Sequence, residues 1–273
     1  MQKKSSMPKS LNQLTLAEAK TIEWLFTDVD DTLTWQGAMP HETFTALARL
    51  KQIGIKVVAV TGACAGWCDQ IAKLWPVHGV IGENGAFWMQ KQIDGLKIHS
   101  PLPLDTMRAQ QQQLKQAVSD ILSHYPEITL ASDQPFRFSD VAINIGQDRP
   151  MLESNIINEL LNKIACLKID GQSVTAMPSS IHINAWVGEH SKRATTQRYL
   201  EQHQHSDLSK ICYIGDSLND QTMFEWLPLT VGVNNIRPIL NQLTTAPSYI
   251  TQSNGGFGFA EFADLLIAAK TQA

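Results

Sequence analysis

Residues 22–28 set Trp24, Leu25 and Phe26 side by side and then break into Asp28-Val-Asp30-Asp31-Thr32. An apolar run without alternation reads as a strand buried on both faces, the condition of a parallel sheet covered by helices. The carboxylates that follow lie at the strand's carboxyl end, where open α/β sheets bind ligands. The pattern recurs along the chain. Residues 55–60 form a β-branched run that stops at Thr61-Gly62, Val80-Ile81 precede Gly82-Glu-Asn-Gly85, and residues 211–214 stop at Gly215-Asp216. Between these runs, apolar residues return at helical spacing: Phe44, Leu47 and Ala48 behind Pro40, then Trp67, Ile71 and Leu74 within 65–75. A helix over 191–203, short strands at 229–233 and 249–250, and a last helix over 259–269 continue the alternation. It predicts parallel strands joined by right-handed crossovers, an α/β fold with a Rossmann-like parallel-sheet core.

The middle of the chain reads differently. Residues 87–89 and 96–98 suggest a hairpin, and 105–125 a long helix with Leu114, Val118, Ile121 and Leu122 on one face. The glutamine run 110–113 is read as a solvated part of that helix. A strand at 141–145, a helix at 151–164 and strands at 173–177 and 181–186 follow. Paired strands between helices suggest an α+β layer that is mainly antiparallel. The expected division is a tail over 1–20, a core over 21–86 and 188–273, and an inserted α+β cap over 87–187.

Bulk properties exclude some classes of function. With 22 basic and 26 acidic residues, the formal net charge is −4, which gives a nucleic-acid surface no electrostatic support. No segment approaches the roughly 20 apolar residues of a membrane span, and the basic start lacks the apolar stretch of a signal peptide, so the cytoplasm is the expected location. Cys64, Cys68, Cys166 and Cys212 show no zinc-like pairing and read as reduced thiols.

Four loops carry residues suited to chemistry. Asp28, Asp30 and Asp31 repel one another unless a cation compensates, although a lone D-x-D also fits a polar turn. Thr61 and Gly62 could offer a hydroxyl and backbone N–H groups to a phosphoryl oxygen, yet strand-Thr-Gly is common. Lys192 lies near the start of a helix, against the dipole, where a surface lysine is the ordinary reading. Asp216 and Asp220 are four apart, so one turn of helix can align them, and Asp216 or Ser217 would serve equally as an N-cap.

Together and in this order, Asp28-x-Asp30-x-Thr32, Thr61-Gly62, Lys192 and Gly215-Asp-Ser-x-Asn-Asp220 resemble the motifs of the haloacid dehalogenase-like phosphatases. The chain is similar to the branch with a large α+β cap between the second and third motifs (subfamily IIB, Cof-like). That branch includes phosphatases of trehalose, sucrose and mannosyl phosphates, and phosphomannomutases. The resemblance implies that Asp28 is the nucleophile, forming an aspartyl-phosphate, and that Asp30 is the general acid and base. It implies that Thr61 and Gly62 bind the phosphoryl group and that Lys192 neutralises that group and the nucleophile. It also implies a Mg2+ cofactor held by Asp28, Asp30, Asp216 and Asp220, all hard oxygen donors. Relatives often have arginine after Thr-Gly, where this chain has Ala63.

The implied substrate is a small phosphate ester, in particular a sugar or polyol phosphate, with no nucleic-acid or membrane partner. Asn235 is a further candidate on the phosphate side. Asn84-Gly85 reads as a hinge before the cap. Arg137, Arg149, His182 and Asn184 are cap residues that could read a sugar or a second anion, and Trp35 could line the entrance. His203 and His205 read as an exposed loop. The alternatives are a phosphomutase of the same architecture, a non-catalytic sugar-phosphate binder, and a signalling receiver. Receivers are shorter and lack the cap and the D-x-D-x-T pattern.

Overall fold

A computed structural model describes residues 7–179 and 181–271. The predicted apolar runs stand side by side in one large sheet. Its strands are β1 (Lys9–Ser10), β2 (Trp24–Thr27), β3 (Lys56–Val60), β4 (Gly79–Gly82), β5 (Phe87–Gln92) and β6 (Gly95–His99). A second set comprises β7 (Asp140–Asn144), β8 (Lys168–Ile169), β9 (Gln172–Pro178) and β10 (His182–Val187). The chain then returns to the large sheet with β11 (Ile211–Gly215), β12 (Leu229–Gly232) and β13 (Tyr249–Ile250). The large sheet runs β1-β13-β12-β11-β2-β3-β4-β5-β6, parallel as far as β4 and antiparallel beyond it.

Strand order explains where a site can form. From β2 the chain builds outward through β3 and β4, and from β11 it builds the other way through β12 and β13. Crossovers therefore leave β2 and β11 in opposite directions, and a crevice opens at the carboxyl ends of this pair. The pair is in register, with Phe26 opposite Tyr213 and Thr27 opposite Ile214, and Asp28 N–H donates to the Ile214 carbonyl at 2.9 Å.

All four β2 residues are buried, as a strand covered on both faces requires. Leu25, Val57 and Ala59 pack with α1 (Leu16–Thr21), α2 (His41–Gln52), α3 (Ala65–Leu74) and α8 (Gly255–Thr271). Trp24, Phe26, Val58 and Val60 face α6 (Lys192–Gln202) and α7 (Gln221–Trp226). The small antiparallel sheet β7-β10-β9-β8 has its own core with α4 (Leu104–Leu122) and α5 (Ser154–Ala165).

Several details differ from the sequence reading. On α2 the inward residues are Thr43, Ala46, Leu47 and Leu50, while Phe44 is exposed. On α3, Ala65, Cys68, Ile71 and Ala72 turn inward, because small side chains let the helix lie close to the sheet; Trp67 and Leu74 are exposed. Part of the expected tail is ordered: Lys9–Ser10 pair in parallel with Tyr249–Ile250, and α1 starts at a capping box between Thr15 and Glu18. Residues 1–6 of that tail lie outside the described residues. The hairpin of β5 and β6 continues the large sheet, so the second sheet lies wholly within 140–187.

Candidate active site

The β2 strand ends at Asp28 because the next residues fold back on themselves. Leu33 N–H and Thr34 N–H both return to the Val29 carbonyl, and Asp31 takes a left-handed φ of 53°. Asp28 is thereby held at the sheet edge and buried. Opposite it, Lys192 begins α6 behind the N-cap Ser191 and reaches under the edge. Its ammonium lies 2.6 Å from Asp28 Oδ1, 2.7 Å from Asp220 Oδ1 and 3.2 Å from Asn219 Oδ1. Two carboxylates outweigh the cost of burial and hold Lys192 protonated, its pKa moved above the ordinary lysine value.

Asp220 has no oxygen to spare. Oδ1 accepts from Lys192 and the Tyr213 hydroxyl; Oδ2 accepts from Asp216 N–H at 2.9 Å, Ser217 N–H at 3.0 Å and the Ser217 hydroxyl at 3.3 Å. It thus fixes both the lysine and the backbone of the Asp216 loop. Asp216 is steadied by the Thr32 hydroxyl at 3.0 Å and by Asn235 Nδ2 at 3.1 Å. Asn235 also donates to the Asp31 carbonyl and accepts from Gly255 N–H, so it ties three loops together behind the acidic cluster. Thr61 is fully buried and its hydroxyl accepts Ala63 N–H at 2.9 Å, while Gly62 and Ala63 line the cavity.

Oxygens of Asp28, Asp216 and Asp220 lie within 4.8 Å of one another. Three buried carboxylates around one ammonium leave two negative charges without a counterpart. Burial first, then Lys192 against Asp220 and Asp30, place the Asp28 carboxyl at about 8; burial, then the like charges of Asp28 and Asp220, push Asp216 well above the usual carboxylate range. A hard divalent cation fits beside Asp28 and Asp216, since oxygen ligands and a charge deficit are what it requires, while Asp220 keeps its oxygens for the lysine and the loop. Asp30 opens on the cavity, yet surrounding protein displaces enough water, with Asp31 adding like charge, to raise its carboxyl too.

The cavity above the cluster has a volume of about 620 Å³ and lies between the two sheets. From the cap, Arg137, His182 and Asn184 reach it, together with Asp133, Gln147 and Ser179, which the sequence reading did not single out. Arg149 does not line it and instead donates to the Glu127 carbonyl. Trp35 packs against Gly255 outside the lining. His203 and His205 lie at the far end of α6, their rings against Trp24.

A second buried acid joins cap to core. Glu83 follows β4 in a left-handed run, Glu83, Asn84 and Gly85 all having positive φ. Its carboxylate accepts from Ala65 N–H in the core and from Phe138 N–H, Ser139 N–H, the Ser139 hydroxyl and Asp140 N–H at the entry to β7. Burial, then Asp140, raise it to about 7 against the pull of these donors. The signal in the sequence was a lone glutamate inside Gly-Glu-Asn-Gly, which periodicity cannot distinguish from a turn.

Fold and site together define a capped α/β phosphatase. The model of the haloacid dehalogenase-like hydrolases matches residues 25–134 and 152–262, and the chain belongs to that family. A phosphoglycolate phosphatase of Methanobrevibacter smithii is 19% identical over 243 residues, covering 88% of this chain and 96% of that protein. Among solved structures, the C-terminal domain of a C. albicans trehalose-6-phosphate phosphatase superposes with a TM-score of 0.71 at 15% identity, covering 97% of this chain and 99% of that one. A Thermoplasma acidophilum protein gives 0.67 at 14% identity, covering 90% and 99%. Among the described residues, no helix is long and apolar enough to cross a membrane.

Proposed function

We propose that this enzyme is a Mg2+-dependent phosphatase that hydrolyses a sugar or polyol phosphate through an aspartyl-phosphate on Asp28. The observation that carries the reading is the Lys192 ammonium, bonded at once to Asp28 and Asp220 beneath an open cavity. Asp28, Asp216 and the Asp30 carbonyl would hold the cation, with Asp220 holding the loop that presents Asp216. When bound, the cation supplies positive charge to the phosphoryl oxygens.

The chain's own residues divide the remaining work. Asp28 attacks phosphorus, forming a P–O bond as the ester P–O bond breaks. Asp30 gives its proton to the departing oxygen, a role suited to a carboxyl raised above its usual range. Asp30 then accepts a proton from the water that attacks the phospho-aspartate, and phosphate leaves with Asp28 restored. Lys192 keeps the nucleophile oriented and balances charge as it builds. Ala63 N–H is held to Thr61, so this turn shapes the phosphate side through its backbone.

The test is inorganic phosphate release from a panel of sugar and polyol phosphates. Asp28→Asn should abolish release with an unchanged circular dichroism spectrum, and near-normal release would refute the nucleophile assignment. Excess EDTA should stop the reaction and Mg2+ restore it; an unchanged rate in EDTA removes the metal from the reading. Isomerised ester in place of free phosphate would instead identify a mutase.

A further inference from the structure

The cavity's cap side offers a substrate no uncommitted positive charge. Arg137 is the one lysine or arginine among its described lining residues. That guanidinium is already occupied: Nε and Nη2 hold Asp133 at 3.1 and 2.8 Å, and Nη1 holds both oxygens of Asp140 and the Gly62 carbonyl at 3.0 Å. Four of its five N–H groups are thus committed, and its charge is matched by two carboxylates. Asp140 is fully buried, whereas Asp133 turns toward the cavity. His182 adds no cation near neutral pH, since burial, and then Arg137, lower it to about 4. Ala63, also in the lining, has no charge to contribute.

The core side of the lining is apolar and aromatic. Trp67 projects from α3 with 56% of its surface exposed, and Ile71, Trp75 and Met39 extend this wall. The cap adds the neutral polar groups of Gln147, Ser179 and Asn184. An aromatic face together with a few neutral polar groups suits a leaving group that has C–H faces and hydroxyls.

We infer that the Arg137–Asp133–Asp140 cluster makes the cavity select phosphate monoesters of neutral, hydroxyl-bearing leaving groups and reject those whose leaving group carries a second anion. This inference rests on the phosphatase reading and narrows its substrate class. Asp133 meets an incoming carboxylate with like charge, while Arg137 is held out of use by its own partners. Like-charge contact of this kind acts against the wrong partner more than it helps the right one.

Matched esters test it: glycerol phosphate against phosphoglycerate, and sorbitol phosphate against phosphogluconate, with a simple aryl phosphate as a gauge of activity. The expected result is a kcat/KM at least about tenfold higher for the neutral member of each pair, borne mainly by KM. Equal or reversed preference overturns the inference while leaving the phosphatase intact. Release from none of the esters, aryl phosphate included, defeats the phosphatase reading instead. Asp133→Asn should narrow the gap at least threefold by returning guanidinium charge to the cavity, and an unchanged ratio overturns the role given to this cluster. If that variant does not fold, the wild-type ratios still decide the selectivity.

Discussion

Replacing Lys192 with methionine keeps much of the side-chain volume and removes the charge on which the site is organised. Lys192 is 2% exposed and lies 2.6 Å from one carboxylate and 2.7 Å from another. At an effective dielectric of about 20, each contact is worth about 6 kcal/mol of Coulomb energy before desolvation is subtracted. What matters for the variant is the stranded acids: breaking a buried pair by deleting one partner typically costs about 3–5 kcal/mol. At about 2–4 °C per kcal/mol for a chain of this size, the melting temperature should fall by roughly 6–20 °C.

The sign of the pH dependence follows from Asp28. Its carboxyl stands at about 8 against an ordinary 3.8, even with Lys192 present. A raised acid contributes stability fully below its unfolded value and loses it as pH rises through the folded one. Removing Lys192 takes away the attraction that pulls Asp28 down, so its carboxyl rises further and the variant's deficit should grow from pH 6 to pH 9, mostly above about 8. Urea unfolding of both proteins in EDTA measures it. A deficit below about 1 kcal/mol, or one flat across that range, would refute a buried charge network centred on Lys192.

Other predictions follow from the same geometry. Glu83→Ala strands three backbone N–H groups and a hydroxyl at the cap entry and the Ala65 N–H of the core, and should cost at least about 3 kcal/mol, read by urea unfolding. Gly85→Ala places a Cβ 2.3 Å from the Ser191 carbonyl at a φ of +106°, next to the residue that caps the Lys192 helix. It should lower both the melting temperature and turnover, since Lys192 would shift with that cap. Between pH 7 and pH 4 His182 should contribute an acid-side loss, opposite in sign to the raised carboxyls: burial holds it at about 4 against an ordinary 6.5, so the unfolded chain takes up its proton first, read from thermal melts of wild type beside the variant. His182→Gln should flatten that limb by up to about 3 kcal/mol, and an unchanged slope would assign the loss to other groups.

By itself the sequence determined the sheet and the loops that end its strands. Unbroken apolar runs such as Trp24-Leu25-Phe26 have few other homes, and a strand's end is where hydrogen bonding stops and polar residues can begin. Asp28, Lys192 and Asp216 were legible there because their loops follow, or lead back to, those runs. What only the tertiary structure decided depends on distance between remote segments. That Asp220 is filled by five donors, that Asn235 ties loops instead of lining the cavity, and that Glu83 latches the cap depend on partners remote in sequence, such as Lys192, Asp31 and Ser139, and on backbone N–H groups with no signature in composition. The helix faces show the same limit. Trp67 and Leu74 share a stripe with Ile71, but which side of α3 meets the sheet is set by how closely the helix can approach it, and small Ala65, Cys68 and Ala72 win that contact. The large aromatic is left exposed in the cavity lining.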